Sequence, residues 1–206
     1  VTGAFSITGS STLNLTTRAP AVGTIPLISY GSFSDFASLS LGSLPVVMTG
    51  NLVNNTAAST IDLVVSRVSL PRWNGDLSNV WNVSTTANWV DTISDTPTTF
   101  VNGDPALFND LATGSTDVAI NSTVTPGEVT INNETLAYSF SGTGSIAGPG
   151  GVTKTGVGTA TMGTANTYTG PTVISGGTLT ISTLANVGAA SNLGAGAAGS
   201  GSLVFN

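Results

Sequence analysis

With four basic and ten acidic residues in 206 positions, this chain has to cover its surface with something other than charge. Charged side chains are 7% of it, against about 25% in an average soluble domain. Thr, Ser, Gly and Asn stand in their place, and helix formers are scarce, with two Glu, one Lys and no Gln. Hydroxyl side chains compete for helical backbone hydrogen bonds, glycine raises the entropic cost of a helix, and Val, Ile and Thr suit a pleated surface. The propensity balance is therefore all-β. Phe5-Ser6-Ile7-Thr8, Ile61-Asp62-Leu63-Val64-Val65, Val129-Thr130-Ile131, Leu179-Thr180-Ile181 and Leu203-Val204-Phe205 alternate as short strands with one face inward. Glycine clusters such as Gly148-Pro149-Gly150-Gly151 and Gly176-Gly177 punctuate them.

Strands at such short intervals fit a sandwich or a solenoid, and the missing charge decides between them. A sandwich needs a polar outer face on every strand, whereas stacked rungs line up Thr, Ser and Asn in ladders that bond rung to rung. The expected fold is all-β, a right-handed parallel β-helix or solenoid. At about 4.8 Å and roughly 20 residues per rung it would run some 45 to 50 Å.

Composition also narrows function. A net charge of −6 with only Arg18, Arg67, Arg72 and Lys154 as cations cannot neutralise a run of phosphates, which argues against nucleic-acid binding. The chain has no His and no Cys, so the commonest general base, thiolate nucleophiles and nearly all zinc and copper sites drop out, and no cofactor is expected. No apolar run approaches the roughly 20 residues of a spanning helix. Val1-Thr2-Gly3-Ala4 carries no Met or signal core, so the sequence reads as a processed or excerpted chain.

Three parts are expected. Residues 1–71 form a strand-rich solenoid block. Residues 72–112 are a Trp-rich acidic lead-in holding Trp73, Trp81 and Trp89 and five of the ten acids. Residues 113–206 are a Gly/Thr-rich β-helix. The most specific stretch lies in the last, from Lys154-Thr155-Gly156-Val157-Gly158-Thr159-Ala160-Thr161-Met162 through Asn166-Thr167-Tyr168-Thr169-Gly170 to Gly176-Gly177-Thr178-Leu179. Over about 154–181 it closely resembles the autotransporter-associated β-strand repeat, also called the passenger-associated transport repeat, with Ala160 and Met162 at two positions that are usually leucine. Trp73-Asn74-Gly75-Asp76, Asn88-Trp89 and Phe100-Val101-Asn102-Gly103-Asp104 are similar to the lead-in that commonly precedes that repeat. The resemblance implies a long, secreted bacterial surface protein whose β-helical passenger serves in adhesion or surface structure. Nothing after Gly196 is long enough to be the membrane barrel that ends an autotransporter, so only passenger material is expected here.

Asp91, Asp95, Asp104 and Asp110, with Asp76 and Asp117 nearby, are the candidate Ca²⁺ ligands. Their spacing matches no known Ca²⁺ loop, and turn-capping is the stronger expectation. A pair of them as a glycosidase dyad lacks basic companions, so no enzyme is expected. Trp73, Trp81 and Trp89 recur every eight residues. On one exposed face they would grip surface glycans, but Asn82, Ser84 and Asn88 imply turns between them, and a local hydrophobic core is favoured. Gly156-Val157-Gly158 and Gly194-Ala195-Gly196 precede no helix and read as corners rather than phosphate loops. The sequons at Asn14, Asn54, Asn82, Asn121 and Asn133 are about as many as this composition gives by chance.

Both ends stop inside strand patterns without a polar cap, which a solenoid normally needs to stay soluble. Val1, Phe5, Ile7, Leu203, Val204 and Phe205 are the expected assembly interface, joining copies of the chain head to tail, by a peptide bond or noncovalently. The favoured function is a non-enzymatic structural unit of an extracellular bacterial fibre or cell-surface protein, with a glycan-binding adhesin as the alternative.

Overall fold

The fold is that of a computed structural model, which describes residues 3–16, 21–197 and 202–206. Among these residues there is no α-helix and a single 3-10 turn at Phe36–Ser38. The chain divides into two compact units, Val1–Ser69 and Leu70–Asn206.

The first unit holds β1 (Ser11–Leu13), β2 (Gly23–Ser29), β3 (Leu39–Leu41), β4 (Met48–Asn55) and β5 (Thr60–Val68). Strands β1 and β3 pair in parallel, Ser11 beside Leu39, and Ala4 bridges Ser32 with the same 28-residue offset. Residues 3–15 and 31–43 thus lie side by side as two rungs. Phe5 packs on Phe33 with ring centroids 5.0 Å apart. The rest of the unit departs from the expected parallel block, because β2, β5 and β4 form an antiparallel sheet in that order. Four residues, 56–59, separate β4 from β5, whereas a parallel pair needs a crossover of about a dozen or more. The Asn55 side chain accepts the Ala58 amide inside that turn, and Ser59 closes it at a φ of 54°.

The second unit opens with β6 (Pro71–Trp73), β7 (Trp89–Asp91) and β8 (Thr96–Thr98), an antiparallel set. From there the chain coils through β9 (Pro105–Asn109), β10 (Asp117–Ala119), β11 (Glu128–Asn132), β12 (Tyr138–Ser141), β13 (Val152–Thr155), β14 (Thr159–Met162), β15 (Thr172–Ile174), β16 (Thr178–Ile181) and β17 (Leu203–Phe205). Every pairing between the strands of the coil is parallel and skips one strand, and outside them the isolated Asn166–Ser191 bridge is antiparallel. One sheet runs β17-β15-β13-β11-β9 and continues into β6-β7-β8, and the other runs β10-β12-β14-β16. This is a β-solenoid. Its third side has no strands but is stitched by the Val124–Ile146 bridge and by Thr167 N–H donating to Ile146 C=O at 2.9 Å and Thr169 N–H to Gly148 C=O at 2.9 Å. Ala106, Val129, Val152, Thr172 and Leu203 form one column, so successive turns take 23, 23, 20 and 31 residues. The expected period of about 20 holds at the step between Val152 and Thr172.

Alternation sets the core. The inward column Phe108, Ile131, Lys154, Ile174, Phe205 stands beside the one above, and Val118, Phe140, Met162, Ile181 faces them from the other sheet. The heaviest packing is at the start of the coil. Trp73, Trp81, Trp89 and Phe100 are at most 1% exposed, and the Phe108 ring centroid lies 4.9 to 5.9 Å from those of Trp73, Trp81, Trp89, Tyr138 and Phe140. Residues 72–112 therefore share one core with the coil and plug its first turn.

Phe108 joins the plug to the coil, and replacing it by Ala should cost about 3–5 kcal/mol. Phe205→Ala, at a side chain 71% exposed, should stay within about 0.5 kcal/mol. Urea unfolding of the two variants checks the contrast.

Candidate functional site

The stretch singled out in the sequence is built from bonds between rungs. Lys154 occupies an inward position, between Ile131 and Ile174, and is fully buried. Its stem fills the core as an aliphatic chain would, and its ammonium turns to the corner. There Nζ donates to the carbonyls of Thr155 at 2.5 Å, Gly156 at 2.8 Å and, on the next rung, Gly176 at 3.4 Å. Burial pulls its pKa below the ordinary lysine range, and the Glu134 and Asp110 carboxylates oppose that shift.

The glycines beside it are dictated by the same corner. Gly156 has φ +71°, and a Cβ there would sit 2.3 Å from the Asn133 carbonyl oxygen of the rung before. Gly177 has φ +68°, and its Cβ would meet the Gly158 carbonyl oxygen at 2.3 Å and Lys154 Nζ at 2.8 Å. Neither position admits a side chain without displacing backbone.

On the third side, Asn166 is fully buried. Its Oδ1 accepts the Ile146 amide at 2.9 Å and the Thr164 hydroxyl at 2.8 Å, and its Nδ2 donates to the Asn192 carbonyl at 3.0 Å. One side chain thus bonds the rung behind, its own rung and the chain ahead. Tyr168 is buried too, its hydroxyl 2.7 Å from that of Thr172, and burial pushes its pKa up to about 12.

A family model described as passenger-associated-transport-repeat matches residues 152–181. Residues 152–181 are similar to that repeat. No curated protein and no solved structure matches it. The match starts two residues earlier than the sequence resemblance suggests, at the first residue of β13. Ala160 and Met162, its two departures from leucine, are both buried in β14, so the register is kept while the core slims. Within this stretch Lys154 and Asn166 work on the protein's own backbone, and Tyr168 on the Thr172 hydroxyl.

Three buried amides outside the repeat do similar work. Asn192 accepts the Ser182 and Thr183 amides and donates to Thr164 C=O at 2.8 Å. Asn133 donates to the carbonyls of Leu136 and Thr159, and Asn88 to the Ser78 hydroxyl and Val80 C=O. Their burial has no mark in the sequence, where Asn88 reads as a turn residue and Asn133 as one sequon among several, because Asn is common throughout.

The acidic candidates do not converge. Among the described residues no three His, Cys, Asp or Glu side chains are placed to share a metal ion. Asp91 accepts the Leu70 and Ile93 amides and the Ser94 hydroxyl. Asp95 sits in a turn at φ 52°, and Asp104 is buried immediately before β9. Asp110 accepts three consecutive amides of the next rung, Glu134 at 2.6 Å, Thr135 at 3.0 Å and Leu136 at 2.7 Å. The Leu136 amide leads in holding its carboxyl below the usual carboxylate range.

The glycan platform is corrected by burial. Trp73 and Trp81 are 0% exposed and Trp89 1%, so none presents a ring face to a sugar. The turns between them fold the three rings onto one another, with centroids 5.1 Å apart for Trp73 and Trp89 and 5.3 Å for Trp81 and Trp89.

Of the expected assembly residues, Val1 lies outside the described residues. Phe5 and Ile7 are half-buried in the first unit. Leu203, Val204 and Phe205 make up β17, the last strand of the long sheet. Leu203 and Phe205 continue the inward columns, yet they are 40% and 71% exposed. Leu184 and Val187, at 70% and 55%, lie by the same end and line a hollow with Leu193 and Leu203.

Asn166→Ala should orphan the Ile146 amide and the Asn192 carbonyl at about 1–3 kcal/mol for each group, read as a fall in the urea midpoint. Asp110 has a depressed folded pKa, so its contribution is present above the ordinary carboxylate value and lost as pH falls through the folded one. Asp110→Asn should therefore flatten the acid limb of the stability profile below about pH 4 and leave its shape near neutrality unchanged.

Proposed function

We propose that this chain is a non-enzymatic structural block of a bacterial surface passenger, exposed outside the cell, whose copies extend it by stacking head to tail. The observation that carries the proposal is the exposure of Leu203 and Phe205, which continue the inward columns yet are 40% and 71% exposed, with no further rung against them among the described residues. Full burial of such a side chain is worth about 1.5 to 3 kcal/mol, and a covering rung would take up the free edge of β17 as well. The passenger-associated-transport-repeat supports the surface setting. Support for a structural role comes from the polar side chains themselves, which are committed to corners and rungs rather than gathered in a cleft.

The contact between copies is heterologous, one end against the other, and contacts of that kind that do not close give open filaments. Sedimentation velocity over a concentration series should show the 20.4 kDa chain associating beyond a dimer, and Leu203→Glu with Phe205→Glu should return it to monomer. A wild-type chain that stays monomeric throughout overturns the proposal.

A further inference from the structure

We propose that the open end is completed by Gly3–Ile7 of a second copy, laid in parallel on β16 with Phe5 over Leu179 and Ile7 over Ile181. This rests on the stacking read above and specifies its joint. Strand β16 is the last of its sheet among the described residues, and none of these pairs as a strand with its outer edge. Leu179 and Ile181 point inward there and are only partly covered.

The strand that fits is written in the same pattern as the two already stacked. Gly158-Thr159-Ala160-Thr161-Met162 and Gly177-Thr178-Leu179-Thr180-Ile181 lie on each other, Thr159 against Thr178 through Met162 against Ile181. Gly3-Ala4-Phe5-Ser6-Ile7 repeats the order of glycine, small outward residue, apolar inward residue, hydroxyl and apolar inward residue. In the first unit its apolar side chains alternate inward in the same way, with Phe5 against Phe33.

The backbone agrees with the side chains. Phe5 N–H donates to Ser32 C=O and Gly3 C=O accepts Gly31 N–H, both toward the following rung. Because backbone groups of a strand alternate sides, Ala4 C=O and Ser6 N–H turn the other way. Thr178 N–H donates to Gly158 C=O, so by the same alternation Leu179 N–H and C=O turn to the open edge of β16. A parallel pair with Phe5 opposite Leu179 needs Leu179 N–H to meet Ala4 C=O and Ser6 N–H to meet Leu179 C=O, which are the groups left over on each side. Parallel crossovers share one hand, so the two edges face each other without reversal.

The absence of cysteine makes the register testable. In Ser6→Cys/Thr180→Cys the two thiols face outward on paired residues of strands about 4.8 Å apart, within disulfide reach. Mild oxidation at an associating concentration should give a non-reducing ladder in steps of the 20.4 kDa chain, with Ala4→Cys/Thr178→Cys giving the same ladder. Thr8→Cys/Thr180→Cys, two residues out of register, should cross-link at least tenfold less. Circular dichroism of each variant confirms that it is folded before oxidation. An equal ladder from the shifted pair, a loop at monomer mass, or no cross-link while sedimentation still shows association would overturn the register and leave stacking in place. Loss of association in the unmodified chain would overturn the stacking itself.

Discussion

A rung of this solenoid cannot satisfy its own backbone. The amides and carbonyls of β13 find partners in β11 and β15, and those of β14 in β12 and β16, so each turn is a complete structure only between two others. Everything else in the coil is arranged around that dependence. Lys154, Asn166, Asn192 and Asp110 all spend their polar atoms on backbone groups, several of them across a rung boundary, which places side-chain bonds at corners where the strand ladder lapses. A chain with 7% charged residues can remain folded this way because buried neutral amides carry no Born penalty and need only geometry.

The core is graded along the coil. Three tryptophans, Phe100, Phe108, Tyr138 and Phe140 fill the first turns, while the later turns are filled by Ala160, Met162, Thr172 and the aliphatic stem of Lys154. The turn between Val152 and Thr172 is also shorter than the two before it. Small side chains and short corners go together, since a narrower coil has less interior to fill.

The sequence shows the strands through alternation and the solenoid through its missing charge, and β9 to β17 follow both. The corner chemistry of Lys154, Gly156 and Asn166 is visible only because their spacing resembles a known repeat. Two features escaped. The antiparallel hairpin of β4 and β5 alternates like any rung, and what separates it is the brevity of residues 56–59, a cue that weighs little among so many Gly- and Ser-rich corners. Asn88, Asn133 and Asn192 are buried in positions that composition makes unremarkable, because a residue abundant on the outside gives no sign of the few copies that face inward. The tryptophans are legible from their neighbours rather than from their spacing: an eight-residue repeat alone suggests an exposed stripe, whereas Asn82, Ser84 and Asn88 point to the turns that fold the three rings into a core.

The gradient from aromatic plug to open end also gives the block a direction in time. Where stability is a sum of local turns and their contacts with neighbours, the turn with the largest buried area forms first and the rest are added onto it. Here that turn is the one around Trp81 and Phe108, and β17 is the farthest strand from it in its sheet. Opening runs the other way, entering at β17, whose side chains are the least covered, and stopping at the plug. Amide protons should therefore exchange in order of their distance from the tryptophans, so that the molecule behaves less like a globule with one melting event than like a zipper with a fixed stop.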